Sequence, residues 1–448
     1  MKLFKHQLVS LKFMKDKERV FDASDPGTAK TRVEIVDFAT RRRRGGGCAL
    51  VLAPKSILES VWVDDAKRFE PSLTVSVARA TNREEAFKST ADMYVTNIDA
   101  VVWLVKQKPI FFKRFDTLIV DESTAYKHST NKRSKALNKI KKYFQWRRLL
   151  TGTPSGNTIT DIWNQVNILD DGKRLGPSFF HFRNQVCIPE QVGPMPNMVK
   201  WVDRPGAESA VSMLIKDITI RHKFESCVDI PANHEYSINF HLNRQHMMRY
   251  NEMQETAILE LSKATVSAIH AASLSTKLLQ IASGAVYDEN GNYHLIDKDR
   301  YDLVTDLIEA RPHCIVFFLW KHQRDMLIKA AEAQGLTYCV IDGEATDKER
   351  TDAVRNFQAG FYRVCFAHPQ SAAHGLTLTK GTRTIWASPT YNLEHFLQGN
   401  KRIYRTGQTE KTETIVITAP GTLEEKVWMR LQEKSLKQGD LLELLKTG

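Results

Sequence analysis

Short apolar runs alternate with amphipathic stretches through the first third of the chain. Val20-Phe21, Cys48-Ala49-Leu50-Val51-Leu52-Ala53, Met93-Tyr94-Val95-Thr96, Thr117-Leu118-Ile119-Val120 and Leu149-Leu150-Thr151 read as strands, with helical patterns between them, for example over 57–69 and 132–142. Runs that stay apolar, instead of alternating, belong to strands covered on both faces, so the pattern predicts a buried parallel sheet with flanking helices. The rhythm breaks near Asp161. Residues 169–231 are richer in Gly, Pro and aromatics, including Gly193-Pro194-Met195-Pro196, and read as a helical and irregular insertion. A long helix is expected over 244–273, then a hairpin pairing Ala285-Val286-Tyr287 with Tyr293-His294-Leu295 around Asp288-Glu289-Asn290-Gly291-Asn292. A second alternating series follows, with strands at Cys314-Ile315-Val316-Phe317-Phe318, Tyr338-Cys339-Val340-Ile341, Val364-Cys365-Phe366-Ala367, Thr384-Ile385-Trp386-Ala387 and Thr414-Ile415-Val416-Ile417. The expected fold class is α/β, with one lobe over 1–165, an insertion over 166–234, and a second lobe over 235–448 that opens with a helical protrusion.

Composition narrows the picture. The 448 residues are 42% apolar and 26% charged, enough for roughly three globular domains. The net charge of +12 admits a polyanionic partner. Six scattered cysteines without a CxxC pair argue against a zinc module or disulfide framework and for a reducing compartment. The opening Met1-Lys2-Leu3-Phe4-Lys5-His6 lacks the apolar core of a signal peptide, and no run approaches membrane-spanning length, so an intracellular protein with no membrane partner is expected. Arg41-Arg42-Arg43-Arg44-Gly45-Gly46-Gly47 falls between the first helix and the next strand, where cations suit a helix C-terminus; a solvated loop is the expected reading, a DNA contact the alternative.

Three constellations carry candidate chemistry. Ser24-Asp25-Pro26-Gly27-Thr28-Ala29-Lys30-Thr31 links a strand to a helix, the context of a phosphate cradle. Gly27, Thr28 and Ala29 would line the loop, Lys30 would reach the β and γ phosphates of a nucleotide, and Thr31 would place its hydroxyl on Mg²⁺. An ordinary Pro-Gly turn before a helix would look similar. Asp121-Glu122-Ser123 ends a strand of the same lobe; Asp121 is assigned to the metal and Glu122 to the attacking water. Thr151 and Thr153 of Leu150-Thr151-Gly152-Thr153-Pro154 point to hydrogen bonds towards those carboxylates, although a plain turn would read alike. In the second lobe Gln398, Arg402 and Arg405 fall at i, i+4, i+7, one helical face whose guanidinium groups suit a phosphoryl transition state or, alternatively, form a solvated basic helix.

These stretches resemble a known family. Phe4-Lys5-His6-Gln7, the Lys30-Thr31 loop, Leu52-Ala53-Pro54-Lys55-Ser56, Asp121-Glu122-Ser123, Leu150-Thr151-Gly152-Thr153-Pro154, Ile341-Asp342-Gly343, His374-Gly375-Leu376-Thr377-Leu378 and the run from Gln398 to Gln408 stand in the order seen in Swi2/Snf2-type ATPases of helicase superfamily 2. Asp229-Ile230-Pro231 and Leu279-Gln280-Ile281-Ala282-Ser283-Gly284 give the chain the form of compact bacteriophage-encoded members. The resemblance implies two tandem RecA-like lobes with a helical insertion between them and ATP and Mg²⁺ in the intervening cleft. It implies that Gln7 reads adenine, that Gly375 lies at the nucleotide, and that Arg402 and Arg405 act as arginine fingers. It also implies DNA held by Pro54, Lys55, Ser56, Thr96 and Asn97 in the first lobe and by Ser371 and His374 in the second, mostly through phosphate and so with weak sequence preference.

Two departures stand out: Ala29 replaces a Gly, and Asp-Glu-Ser replaces the commoner Asp-Glu-Ala-His, with Ser123 or Thr124 in the place of the missing His link. His6 and Trp201 read as packing or local hydrogen-bonding residues. The expected function is a DNA-stimulated ATPase that translocates on duplex DNA, working as a monomer alongside replication or recombination proteins, in a host cytoplasm if phage-encoded. The rivals are a strand-separating DNA or RNA helicase and a nucleic-acid scaffold that has lost hydrolysis.

Overall fold

The computed structural model of the protein describes residues 2–192, 198–227, 229–262, 268–372 and 376–444. The chain clusters into two units, residues 1–229 with 435–448, and residues 230–434. In the first, β1 (Arg19–Asp22), β2 (Cys48–Ala53), β3 (Val75–Ala78), β4 (Met93–Asn97), β5 (Phe115–Asp121) and β6 (Trp146–Leu150) build a parallel sheet. A hairpin of β7 (Cys187–Gln191) and β8 (Val199–Asp203) follows, and β9 (Thr219–Ile220) then joins the edge of the same sheet, giving the order β3-β4-β2-β5-β6-β1-β9. Residues 166–229, read from sequence as an insertion, therefore fall in the first unit by contact, and their last strand completes its sheet.

The second unit opens on β10 (Asn233–Asn239), followed by helices Arg244–Ser262 and Ala268–Ala282 and the antiparallel hairpin of β11 (Ala285–Tyr287) and β12 (Tyr293–Leu295). The single helix expected over 244–273 is thus two helices among the described residues. Then β13 (Cys314–Phe317), β14 (Tyr338–Ile341), β15 (Val364–Ala367), β16 (Arg383–Trp386) and β17 (Thr412–Thr418) form a second parallel sheet with β10, in the order β10-β17-β16-β13-β15-β14. No helix among the described residues is long and apolar enough to cross a membrane.

Both sheets are parallel because their central strands are apolar on both faces: Leu50 to Ala53 and Leu118 to Val120 are fully buried, as are Ile315 to Phe317. A parallel sheet gathers all its strand ends on one edge. In the first unit the register places Ile220, Asp22, Leu150 and Asp121 on a single rung, with Ala53 and Asn97 at the matching ends of β2 and β4. The loops that follow these residues therefore share the carboxyl edge, where such sheets bind ligands.

The Arg41 to Arg44 run is not a free loop. It closes helix α2 (Lys30–Arg43), and its side chains are paired: Arg41 with Asp37 at 3.1 Å, Arg42 with Asp92 at 2.8 Å and Arg43 with Glu70 at 2.8 Å. Arg41 also donates to the Thr117 hydroxyl at 2.7 Å. These contacts tie the end of α2 to the amino edge of the sheet, with Arg43 and Arg44 exposed beyond it.

Candidate functional site

The phosphate loop spans Ala23 to Ala29 and delivers Lys30 into the first turn of α2, a fourteen-residue helix with no acidic residue in that turn. Its unpaired amides and dipole favour an anion. The Lys30 ammonium lies inside the loop, donating to the Ser24 carbonyl at 2.6 Å and the Asp25 carbonyl at 3.2 Å. Gly27 has φ +93, and a Cβ there would meet the Phe224 ring at 2.9 Å, so glycine is required on two counts. Ala29, where the family pattern has Gly, adopts the left-handed conformation at φ 58, ψ 47. That is the physical reason for the Gly, and the alanine carries a cost of about 1–2 kcal/mol.

The loop is held from outside by a segment about 200 residues away. Asp25 pairs with Arg221 at 2.8 Å and accepts the Phe224 amide at 2.9 Å, Ser24 accepts the His222 amide at 3.0 Å, and Ala23 donates to the Ile220 carbonyl at 2.9 Å. Helix α1 (Lys5–Met14) reaches the same place: a His6 ring nitrogen bonds the Thr28 carbonyl at 2.9 Å and Ser10 bonds His222 at 2.9 Å. His6 is therefore a local hydrogen-bonding residue, as its sequence context implied, and Trp201 packs under Arg183 at 3.8 Å. Gln7 is fully buried. Its carbonyl oxygen accepts the Phe4 amide at 3.0 Å, while its Nε2 has no partner among the described residues. An orphaned donor beside the loop fits a ring-nitrogen acceptor of adenine.

The carboxylates complete the edge. Asp121 Oδ2 accepts the indole N–H of Trp62 at 3.0 Å. Burial, reinforced by the neighbouring Glu122 carboxylate, pushes the Asp121 acid up to about 6, with Trp62 and the Lys30 ammonium pulling the other way. Lys30, at the start of α2, and Asp121, at the end of β5, are therefore within electrostatic reach of each other. Trp62 is brought there by an unusual turn: 57–69, expected as one helix, is a 3₁₀ turn, then a π-helix over Leu58–Val63, then an α-turn over Asp64–Phe69. Single π-turns often sit at functional sites because they redirect one side chain.

Glu122 stands at φ 61, ψ 62 and accepts the hydroxyls of Thr124 at 2.9 Å and Thr151 at 3.1 Å. Thr151 thus reaches the carboxylate, whereas Thr153 donates its backbone amide to Thr151 and its own hydroxyl stays buried without a partner among the described residues. Of the two candidates for the missing His link, Thr124 is on the carboxylate; Ser123 bonds Gln165 at 2.7 Å, and Gln165 in turn holds the Pro154 carbonyl at 2.8 Å. Gly152 backs directly onto the phosphate loop: a Cβ there would lie 2.6 Å from Pro26 Cδ. One carboxyl edge therefore brings together a helix start, a lysine and the oxygen donors Asp121 and Glu122, with Thr31 next to Lys30 in the first turn of α2. Hard oxygen donors beside a phosphate cradle fit Mg²⁺.

The remaining candidates divide. Lys55 and Ser56 are exposed at the end of β2, while Pro54 is buried and its carbonyl starts the 3₁₀ turn. Thr96 is corrected: it is fully buried and its hydroxyl donates to the Ala78 carbonyl at 2.6 Å, leaving it nothing to offer DNA. Asn97 is half-buried and accepts from Arg83 at 3.2 Å. Ser371 lies in a short helix, Pro369–Ala372; His374 and Gly375 lie outside the described residues. In the second unit the helix carrying Gln398 ends at Asn400, so Arg402 and Arg405 sit in turns beyond it and not on its face. They still converge, because both donate to the Leu376 carbonyl, at 3.1 and 3.0 Å, and burial lowers the Arg405 guanidinium.

Sequence reasoning missed Trp62, Gln165, Arg221, His222 and Phe224. All five act through tertiary contacts, and only the Trp in an otherwise unremarkable amphipathic stretch offered a local signal.

Comparison with known proteins yields two family matches: the SNF2-related domain over residues 6–283 and the helicase conserved C-terminal domain over 299–407. The chain is 31% identical over 418 residues to putative protein p41 of Acyrthosiphon pisum secondary endosymbiont phage 1, covering 89% of this chain and 88% of that one. It is 23% identical to the human SWI/SNF-related matrix-associated actin-dependent regulator of chromatin subfamily A member 1, covering 94% of this chain but only 42% of the human protein. Among solved structures, the Sulfolobus solfataricus SWI2/SNF2 ATPase core in complex with dsDNA matches with a TM-score of 0.45 and 21% identity, over 99% of this chain and 93% of that one.

Proposed function

The chain belongs to the SNF2-related family of helicase superfamily 2, whose members are DNA-dependent ATPases, and on that premise we propose that it is an ATP-driven motor that translocates on duplex DNA. The observation that supports the reading most is the carboxyl edge of the first sheet, where Lys30, Asp121 and Glu122 converge under the phosphate loop. In this reading Lys30 leaves the Ser24 and Asp25 carbonyls for the terminal phosphates, and the α2 amides hold them. Thr31 and Asp121 would hold Mg²⁺, which supplies charge neutralisation at the phosphate oxygens. Glu122, oriented by Thr124 and Thr151, accepts the proton of the attacking water. Arg402 and Arg405 are the candidate transition-state cations. Lys55, Ser56 and Asn97 would meet DNA phosphates, so binding should depend steeply on salt and weakly on sequence.

Tracking on paired DNA is favoured over strand separation because the described residues offer no suitable wedge. The β11–β12 hairpin is tipped with Asp288, Glu289 and Asn290, and its turn is organised by Asp288, which accepts the amides of Asn290 and Asn292 at 2.9 and 2.8 Å. An acidic tip repels phosphate and stacks poorly on bases. The test is ATP hydrolysis with duplex against single-stranded DNA, paired with triplex displacement and tailed-duplex unwinding. Stimulation by duplex with third-strand displacement is expected. Stimulation by single strands alone, with efficient unwinding, would replace this reading with the helicase.

A further inference from the structure

The segment 54–63 leaves the first sheet beside Asp121 and comes back to it. Leu52 of β2 pairs with Val120 of β5, so the next residues, Ala53 and Asp121, end the two strands side by side. Beyond Ala53 the chain turns outward. Lys55 and Ser56 are exposed there, in a 3₁₀ turn closed by the Ile57 amide on the Pro54 carbonyl at 3.1 Å. The chain then folds back as the π-helix Leu58–Val63, and the Trp62 indole N–H meets Asp121 Oδ2 at 3.0 Å. One short excursion thus joins the exposed turn to the buried carboxylate.

The parts of this excursion are tied to one another. The Ser60 hydroxyl donates to the Ser56 carbonyl at 3.2 Å, which fastens the exposed turn to the π-helix. Ile57, Leu58 and Trp62 are buried in one apolar cluster with Met93, Val95 and Ile119, so close packing makes them shift together. The π register aims the indole. The Asp64 amide reaches back to the Glu59 carbonyl, and a one-residue slip to α-helical bonding would turn Trp62 by about 100° and take its N–H off the carboxylate. A buried indole N–H needs an acceptor, and a backbone carbonyl would serve. Here the acceptor is Asp121, whose carboxylate has no other side-chain hydrogen-bond partner among the described residues.

We infer that Trp62 is a positioning residue through which DNA at Lys55 and Ser56 adjusts the Asp121 carboxylate, so that the π-turn carries the DNA signal to the hydrolytic site. A hydrogen bond to a charged acceptor is strong and directional, so the indole fixes the rotation of the carboxylate it meets. Phosphates that pull on the 54–57 turn pull, through Ser60 and the packed Leu58, on the same indole. The inference rests on the motor reading for the DNA contacts and names how DNA would regulate that site. A packing role alone would need only the Trp62 ring and not its N–H, and that difference is what the experiment uses.

Trp62→Phe keeps a ring in the cluster and removes the donor. The ratio of DNA-stimulated to DNA-free ATP hydrolysis should fall about tenfold, the scale of one hydrogen bond to a charged group, while duplex affinity stays that of the parent. An unchanged ratio, or an equal loss of both rates, overturns the inference. The second readout involves no hydrolysis. In full-length protein held in EDTA without nucleotide, a short duplex should shift the indole N–H resonance of Trp62, identified among the eight Trp by its loss in Trp62→Phe or Trp62→Tyr. Ser60→Ala, an exposed substitution that leaves the indole in place, should weaken that shift. A duplex that binds without moving the resonance overturns the inference even where it stimulates hydrolysis, and the motor reading then stands alone. A duplex that moves the resonance in the parent without raising its hydrolysis sinks the motor reading and leaves the link between turn and carboxylate in place.

Discussion

Gly152→Ala tests how the turn after β6 is coupled to the phosphate loop. The Cβ it adds would lie 2.6 Å from Pro26 Cδ and 2.8 Å from Cγ. Ordinary contact begins near 3.4 Å, so one partner must retreat by about 0.8 Å. Gly152 sits just beyond β6, whose Leu150 pairs with both Asp22 and Asp121 and cannot move cheaply. The proline ring is rigid, and the loop that carries it is the softer element. Overpacking of this kind costs about 1–3 kcal/mol, and a misplacement of about 1 Å at a reacting centre costs on the order of 10² in rate. Turnover should fall by about two orders of magnitude and ATP affinity by about tenfold, measured by coupled ATPase assay and titration of a fluorescent nucleotide. Gly156→Ala is the matched control, because a Cβ at Gly156 meets nothing within 4 Å. Unchanged turnover in a folded Gly152→Ala protein, or an equal loss in Gly156→Ala, would refute the proposed coupling.

Other substitutions probe single roles. Lys30→Ala should bring ATP hydrolysis near background without changing the thermal transition, since among the described residues Lys30 bonds only loop carbonyls. Arg405→Ala should keep nucleotide binding and lose on the order of 10³–10⁵ in turnover, read by comparing titration with single-turnover hydrolysis; an equal loss of both would make it a ground-state contact. Ala29→Gly should relieve the left-handed strain, offset in part by about 0.5–1 kcal/mol of glycine entropy, giving equal or higher stability and no loss of ATPase. Burial holds the Glu34 acid up to about 8, against Arg148 at 3.8 Å. The folded state then binds a proton that the unfolded state has released, so stability should fall as pH rises from about 4.5 to 8, and Glu34→Gln should flatten that slope in melts across the range.

The sequence made the sheets legible where burial was two-sided. The β2, β13 and β15 segments are apolar throughout, and β5 carries the apolar run Leu118 to Val120, so these announced themselves. Two edge strands did not: β10 reads Asn-His-Glu-Tyr-Ser-Ile-Asn and is largely exposed, and β9 has two residues. Both are strands because a neighbour offers a ladder, which no local pattern encodes. At the site, Lys30, Asp121 and Glu122 were readable because each follows a strand end in a recognisable turn. Trp62 needed the π-turn, and Arg221 and Phe224 needed the whole lobe. Thr96 misled because a polar residue at a strand end looks the same whether its hydroxyl faces solvent or a neighbouring carbonyl.

The grip of Arg221, His222 and Phe224 on the phosphate loop also sets an order of events during synthesis. A nascent chain that has emerged as far as Pro154 already carries the loop, both carboxylates and the Thr151 turn, yet the groups that fix Ser24, Asp25 and Gly27 are still to be translated. Closure across about 200 residues is a slow, non-local step. Nucleotide-binding competence should therefore switch on abruptly as Phe224 clears the ribosome, and stalled chains ending on either side of it are the way to see it.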